Sequence, residues 1–143
     1  MDCIFCEIAE KSSEAEIVFE NDKFVAFLDI NPVNYGHTLV IPKTHYDNFL
    51  TIPAEDLVAM TKLTQYLAGV VKRSLKADGF NIISNNGNSA GQSVFHFHYH
   101  IIPRYENDFH MRQRTIEYKN TEIEIYREKI KEAVTKYEGI LNG

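Results

Sequence analysis

Hydrophobic positions change period along the chain, and each change marks an element. Within Cys3 to Lys11, Ile4, Phe5 and Ile8 have the spacing of one short helix face. Glu16 to Glu20 reads as a strand, Asn21-Asp22 as a turn, and Lys23 to Asp29 as the returning strand of a hairpin. Pro32 and Gly36 break regular structure before a third strand, His37 to Pro42. From Pro53 to about Lys76 the period lengthens. Leu57, Met60, Leu63, Leu67, Val70, Val71 and Leu75 recur at three and four, the stripe of an amphipathic helix with an acidic first turn at Glu55 and Asp56. Phe80 to Ser84 is a fourth strand. A last helix, about 119–139, carries Ile123, Tyr126, Ile130, Val134 and Tyr137 along one stripe. Strands joined by turns rather than alternating strictly with helices predict an α+β fold, a mainly antiparallel sheet of about five strands with one long internal helix and a C-terminal one.

The fifth strand holds the chemistry. Gln92 to Arg104 places His96, His98 and His100 two residues apart, with Phe97, Tyr99 and Ile101 between them. Successive side chains on a strand alternate faces, so the pattern predicts a row of imidazoles about 7 Å apart on one face and a core on the other. Two kinds of chemistry suit such a row: a metal site built from HxH spacing, or a histidine nucleophile supported by its neighbours. The polar, glycine-punctuated loop Asn85 to Gly91 runs into it. With Gln92 and Ser93, Asn85 offers neutral donors suited to phosphate oxygens, but the loop lacks the lysine of a P-loop.

Composition narrows the rest. At 143 residues the chain is expected to form one domain, 1–143, and its net charge of −5 argues against bulk binding to nucleic acid. No apolar run approaches the ~18 residues of a membrane span, and the first residues lack a basic leader and an apolar core. A cytoplasmic protein is the expectation. The two cysteines, Cys3 and Cys6, form a CxxC, which in a reducing compartment leaves metal binding, redox chemistry or no role; alone it is half of a zinc site, and the chain has histidines elsewhere to offer the other half. Arg112 and Arg114 read as part of a solvated polar loop.

His96-Phe97-His98-Tyr99-His100-Ile101-Ile102 resembles the His-φ-His-φ-His-φ-φ signature of the histidine-triad family of nucleotide hydrolases and transferases. Phe27 to Ile30, Gly36 to His45 and Gly91 to Val94 look like the family's segments too, and the likeness covers roughly residues 2–105. Phe97 and Tyr99 are bulkier than the aliphatic residues more usual between the histidines.

The resemblance implies a homodimer that binds a purine nucleotide or nucleotide conjugate and cleaves at its α-phosphate. His98 would be the nucleophile, forming a nucleotidyl-histidine that water hydrolyses, with His100 and His37 flanking it. Asn85, Gln92 and Ser93 would hold the phosphate or leaving group, and Asp29 the ribose hydroxyls. Ile4, Phe5, Ile8, Phe27 and Ile30 would wall the base pocket. Relatives with an N-terminal CxxC look like zinc proteins, which here implies a structural zinc on Cys3, Cys6, His45 and His96. Two other functions compete: a hydrolase whose HxHxH row holds a catalytic metal, and a nucleotide-binding interaction protein with little turnover. Pro103-Arg104 hints at a dinucleotide-cleaving or bacterial general branch.

Overall fold

The runs Phe24 to Leu28 and Thr38 to Pro42 are apolar but for Thr38, a pattern that suits strands covered on both faces rather than one. The computed structural model describes residues 2–108 and 114–137 and places both runs at the centre of its sheet. In chain order the elements are α1 (Ile4–Ala9), β1 (Ile17–Glu20), β2 (Phe24–Leu28), β3 (Thr38–Pro42), α2 (Ala54–Ser74), β4 (Gly79–Ile83), a short 3-10 turn (Asn88–Ala90), β5 (Tyr99–Arg104) and α3 (Glu122–Tyr137). The five strands run β1-β2-β3-β5-β4 across the sheet, each antiparallel to its neighbour. The α+β class, the antiparallel sheet and the two long helices are as the sequence predicts.

Alternation along β2 and β3 divides the core in two. Phe24, Ala26 and Val40 join Met60, Leu67 and Ala68 of α2, together with Phe97, Tyr99 and Ile101. Val25, Phe27, Leu39 and Ile41 turn the other way, against Phe5 and Ile8 of α1. Of the predicted helical stripe, Leu57, Leu63 and Val71 pack on the first cluster, whereas Val70 stays largely exposed. α1 has only six residues, too few to hold itself as a helix in water, so its place depends on what it packs against.

The histidine strand differs from its expectation. Ladder pairing starts only at Tyr99, opposite Val40; His96 to His98 precede it. The Phe97 N–H instead donates to the Tyr46 carbonyl at 2.6 Å, so this part of the chain is tied to the connection after β3. Alternation of faces survives. The even spacing does not, because the His98 and His100 ring centroids lie 4.8 Å apart.

The chain divides into two compact units, Met1–Asp108 and Phe109–Gly143. The sheet, α1 and α2 form the first. The second contains α3, on which Ile123, Tyr126, Ile130 and Val134 are all exposed. Arg112 and residues 138–139 of the expected last helix lie outside the described residues, while Arg114 is exposed as expected. Among the described residues no helix is long and apolar enough to cross a membrane.

Gly36 sets the entry to β3 with φ +92°, and a Cβ there would sit 2.2 Å from Leu75 Cδ1. Gly36→Ala is therefore expected to destabilise the fold by about 1–3 kcal/mol, read as a lowered midpoint in urea unfolding.

Candidate active site

Each histidine near β5 has its tautomer set by a hydrogen-bond partner, distant in sequence for His96 and His100 and two residues away for His98. His96 Nε2 lies 2.7 Å from the Pro42 carbonyl, an acceptor only, so Nε2 carries the proton and Nδ1 the lone pair. His45 Nε2 is 2.9 Å from Asp47 Oδ1, which leaves its Nδ1 lone pair free in the same way. The two Nδ1 atoms face one another at 3.2 Å, and Cys3 Sγ and Cys6 Sγ lie 3.4 and 3.5 Å from His96 Nδ1. Cys6 Sγ is also 3.4 Å from His45 Nδ1, and all four ligand atoms fall within 4.8 Å of one another. Metal–nitrogen and metal–sulfur bonds of ordinary zinc length would give tetrahedral edges of about 3.3–3.8 Å. The donor set therefore fits a tetrahedral cation. Burial pushes the His96 pKa down to about 4, holding the ring in the neutral form that ligates.

A second network lies beside it. The Val33 N–H donates to His37 Nδ1 at 3.0 Å, so His37 Nε2 carries the proton. That proton is directed at His100 Nδ1, 2.9 Å away, which leaves His100 with its own proton on Nε2. His98 Nδ1 donates to the His96 carbonyl at 2.7 Å, so the His98 lone pair is on Nε2. Burial lowers the pKa of His37 and His98, and takes His100 to about 4, with His98 and His37 adding to the shift. Asp29 Oδ2 is 3.7 Å from His37 Nε2, while Asp29 Oδ1 accepts from the Asn31 N–H at 2.8 Å.

Of these groups Asp29, His98 and His100 open on one cleft of about 400 Å³, which His37 does not line. Its lining combines Ile4, Phe5 and Ile8 of α1 with Phe27, Leu39 and Ile30, and brings Asp29, Ser93, His98 and His100 to the same space. An apolar cavity of this size with a few convergent polar groups is the usual form of a small-molecule site. Phe5 is its hinge-point: the ring meets Phe27, His96 and His98 edge-on, with centroids 5.4, 5.9 and 5.1 Å away.

Residues 10–107 match the HIT domain. The chain belongs to the histidine-triad (HIT) family. It is 48% identical over 106 residues to an uncharacterised HIT-like protein of Saccharolobus solfataricus, covering 74% of this chain and 76% of the relative. An adenylylsulfatase of Arabidopsis thaliana is 39% identical over 107 residues, 75% of this chain and 54% of its own length. A solved zinc-bound histidine-triad protein of Mycobacterium smegmatis superposes with TM-score 0.74 at 39% identity, over 82% of this chain and 85% of that one. The family includes nucleotide hydrolases.

Within this histidine-triad frame, the three motif histidines do not converge on one point. His96 turns its lone pair to the cysteines, His98 spends Nδ1 on a carbonyl, and His100 is held by His37. Asp29, His37 and His100 form a second cluster of possible ligands, but the proton on His37 Nε2 makes it a hydrogen-bond chain in this arrangement. Gln92 is fully buried and does not line the cleft. Its Oε1 accepts from the Gly87 N–H at 2.8 Å, and its Nε2 donates to the Asp47 and Val94 carbonyls at 2.7 and 3.1 Å. Asn85 is also absent from the lining and sits beside Gly91. Leu39, Asn31, Val94 and the Ser13-to-Ala15 segment line the cleft without having been singled out from sequence. Leu39 reads as core because its strand is apolar but for Thr38; Asn31 and the Ser13 segment carry only loop composition. Asp47, the partner of His45, was signalled by nothing but its position two residues on.

Equilibrium dialysis followed by elemental analysis is expected to find one divalent metal ion per chain. Cys6→Ser and His45→Ala should lose it at micromolar metal, whereas Asp29→Asn should retain it.

Proposed function

We propose that the protein is a nucleotide hydrolase cleaving at the α-phosphate of a purine nucleotide, a phosphoramidate or a dinucleoside polyphosphate, through a nucleotidyl-histidine on His98. The observation that carries this reading is the His98 hydrogen bond. With Nδ1–H committed to the His96 carbonyl at 2.7 Å, Nε2 is the ring's one nucleophilic atom, on a residue that lines the cleft. Burial favours the neutral ring that can attack.

His98 Nε2 attacks the α-phosphorus, and the bond to the leaving group breaks. The departing amine or phosphate keeps the electron pair and takes a proton from the Ser93 hydroxyl, which lines the cleft. The new P–N bond places positive charge on the imidazole, which the Nδ1–H···O=C bond to His96 stabilises. His100 donates its Nε2 proton to a non-bridging phosphate oxygen, and His37 fixes the ring that does so. Water then attacks the phosphorus and gives a proton back to Ser93, the electron pair of the breaking P–N bond returns to His98 Nε2, and the ring is neutral again as the nucleoside monophosphate leaves.

Asp29 accepts from the ribose hydroxyls, and Ile4, Phe5, Ile8, Phe27 and Ile30 wall the base. Asn85, outside the cleft lining, supports the phosphate loop from beside Gly91. Gln92 acts there through the loop it pins. The adenylylsulfatase relative supports an adenylyl group as the unit transferred. The metal is read as zinc, supported by the two thiols and two imidazoles and by the zinc-bound Mycobacterium smegmatis relative. With Cys3, Cys6, His45 and His96 all holding it, zinc would have no open position, and its contribution would be to tie α1 to the sheet. The reducing conditions of the cytoplasm would keep Cys3 and Cys6 available to it. We take residues 1–143 as one histidine-triad domain that works as a homodimer. In support, β4 is an edge strand with Phe80 and Ile82 exposed beside an apolar hollow of about 240 Å³.

Rapid quench of the protein with an adenosine phosphoramidate, read by intact mass, is expected to reveal an adenylyl adduct that His98→Ala lacks. Turnover should fall by roughly 10³-fold or more in that variant. Wild-type turnover by His98→Ala would overturn the assignment. His37→Ala, which frees the His100 ring, is expected to lower kcat by roughly a hundredfold while the adduct still forms.

A further inference from the structure

Three walls of the nucleotide cleft are each fastened to the same four-ligand centre. α1 brings Ile4, Phe5 and Ile8 to the cleft, and this six-residue helix is held at its start by Cys3 and within its first turn by Cys6. His96 gives its ring to the centre and its carbonyl to His98, at 2.7 Å. The third strap runs through a residue whose side chain does not reach the cleft. His45 holds Asp47 at 2.9 Å, the Asp47 carbonyl receives Gln92 Nε2 at 2.7 Å, and Gln92 binds Gly87 and Val94 on either side of Ser93's loop. Ser93 and Val94 then line the cleft.

We propose that metal at this centre and nucleotide in this cleft stabilise one another, with Gln92 as a positioning residue that carries part of the coupling. The inference rests on the nucleotide-binding reading above. A ligand that touches α1, His98 and Ser93 at once restrains all three straps, and so opposes the opening by which the centre releases its metal. By linkage the metal raises nucleotide affinity by the same factor as the nucleotide raises metal affinity. Coupling between sites is commonly about 5- to 150-fold.

The test measures zinc release from the zinc-loaded full chain to a chromogenic chelator, with and without saturating AMP, beside calorimetric titration of AMP. Release at least about threefold slower in AMP supports the coupling. AMP binding with a smaller change in release overturns it and leaves the nucleotide reading standing; no AMP binding to the zinc-loaded chain removes both. Gln92→Ala keeps the four ligands and cuts one strap, so AMP should protect its zinc at most half as strongly as in wild type. Equal protection would overturn the role given to Gln92.

Discussion

His96 serves two neighbours through two different parts of itself. Its imidazole, fixed by the Pro42 carbonyl, turns a lone pair toward Cys3, Cys6 and His45. Its main-chain carbonyl takes the proton of His98 Nδ1. The first arrangement makes a ligand and the second sets which nitrogen of the next motif histidine is nucleophilic. A two-residue repeat is what allows both: it keeps the two rings on one side of the chain while placing the carbonyl of one within reach of the ring of the other. The four-ligand cluster and the His98 ring are thus joined through consecutive motif positions of one stretch.

The sheet provides the rigidity this needs. β2 and β3 are covered by α2 on one face and by α1 on the other, so the strand that carries His100 is paired to a core with no wet side at that point. His100 lies opposite Leu39, and Leu39 opposite Phe27, which carries the wall of the cleft straight across three strands. Burial in that layer keeps the imidazoles neutral, the state in which one can attack and another can donate.

Much of this was legible in the sequence, for physical reasons. The apolar runs at Phe24 and Leu39 and the stripe from Leu57 to Val71 report directly on burial, and burial fixes the layers. The alternation of His96, His98 and His100 with Phe97, Tyr99 and Ile101 reports on faces, and the faces are kept. Spacing could not tell where ladder pairing begins, because that turns on Tyr46, fifty-one residues before Phe97. Nor could it reveal the tautomers, since each depends on how a ring is turned toward a backbone group, Val33 N–H, Pro42 C=O or His96 C=O, which spacing does not report. Gln92 shows the same limit. Its amide is suited to a phosphate, yet a fully buried amide must satisfy its own donors and acceptor first, and Gly87, Asp47 and Val94 do so.

Cys3 and Cys6 are the two cysteines of the whole 143-residue chain, and both are free and partly accessible. Every thiol the protein owns is therefore in one corner, a helix turn from the cleft. Thiol-specific reagents have a single address on this molecule, so any thiol assay of the whole protein is a report on that corner alone, and burial, which pushes the Cys6 thiol up to about 11, slows that report by keeping the thiol protonated.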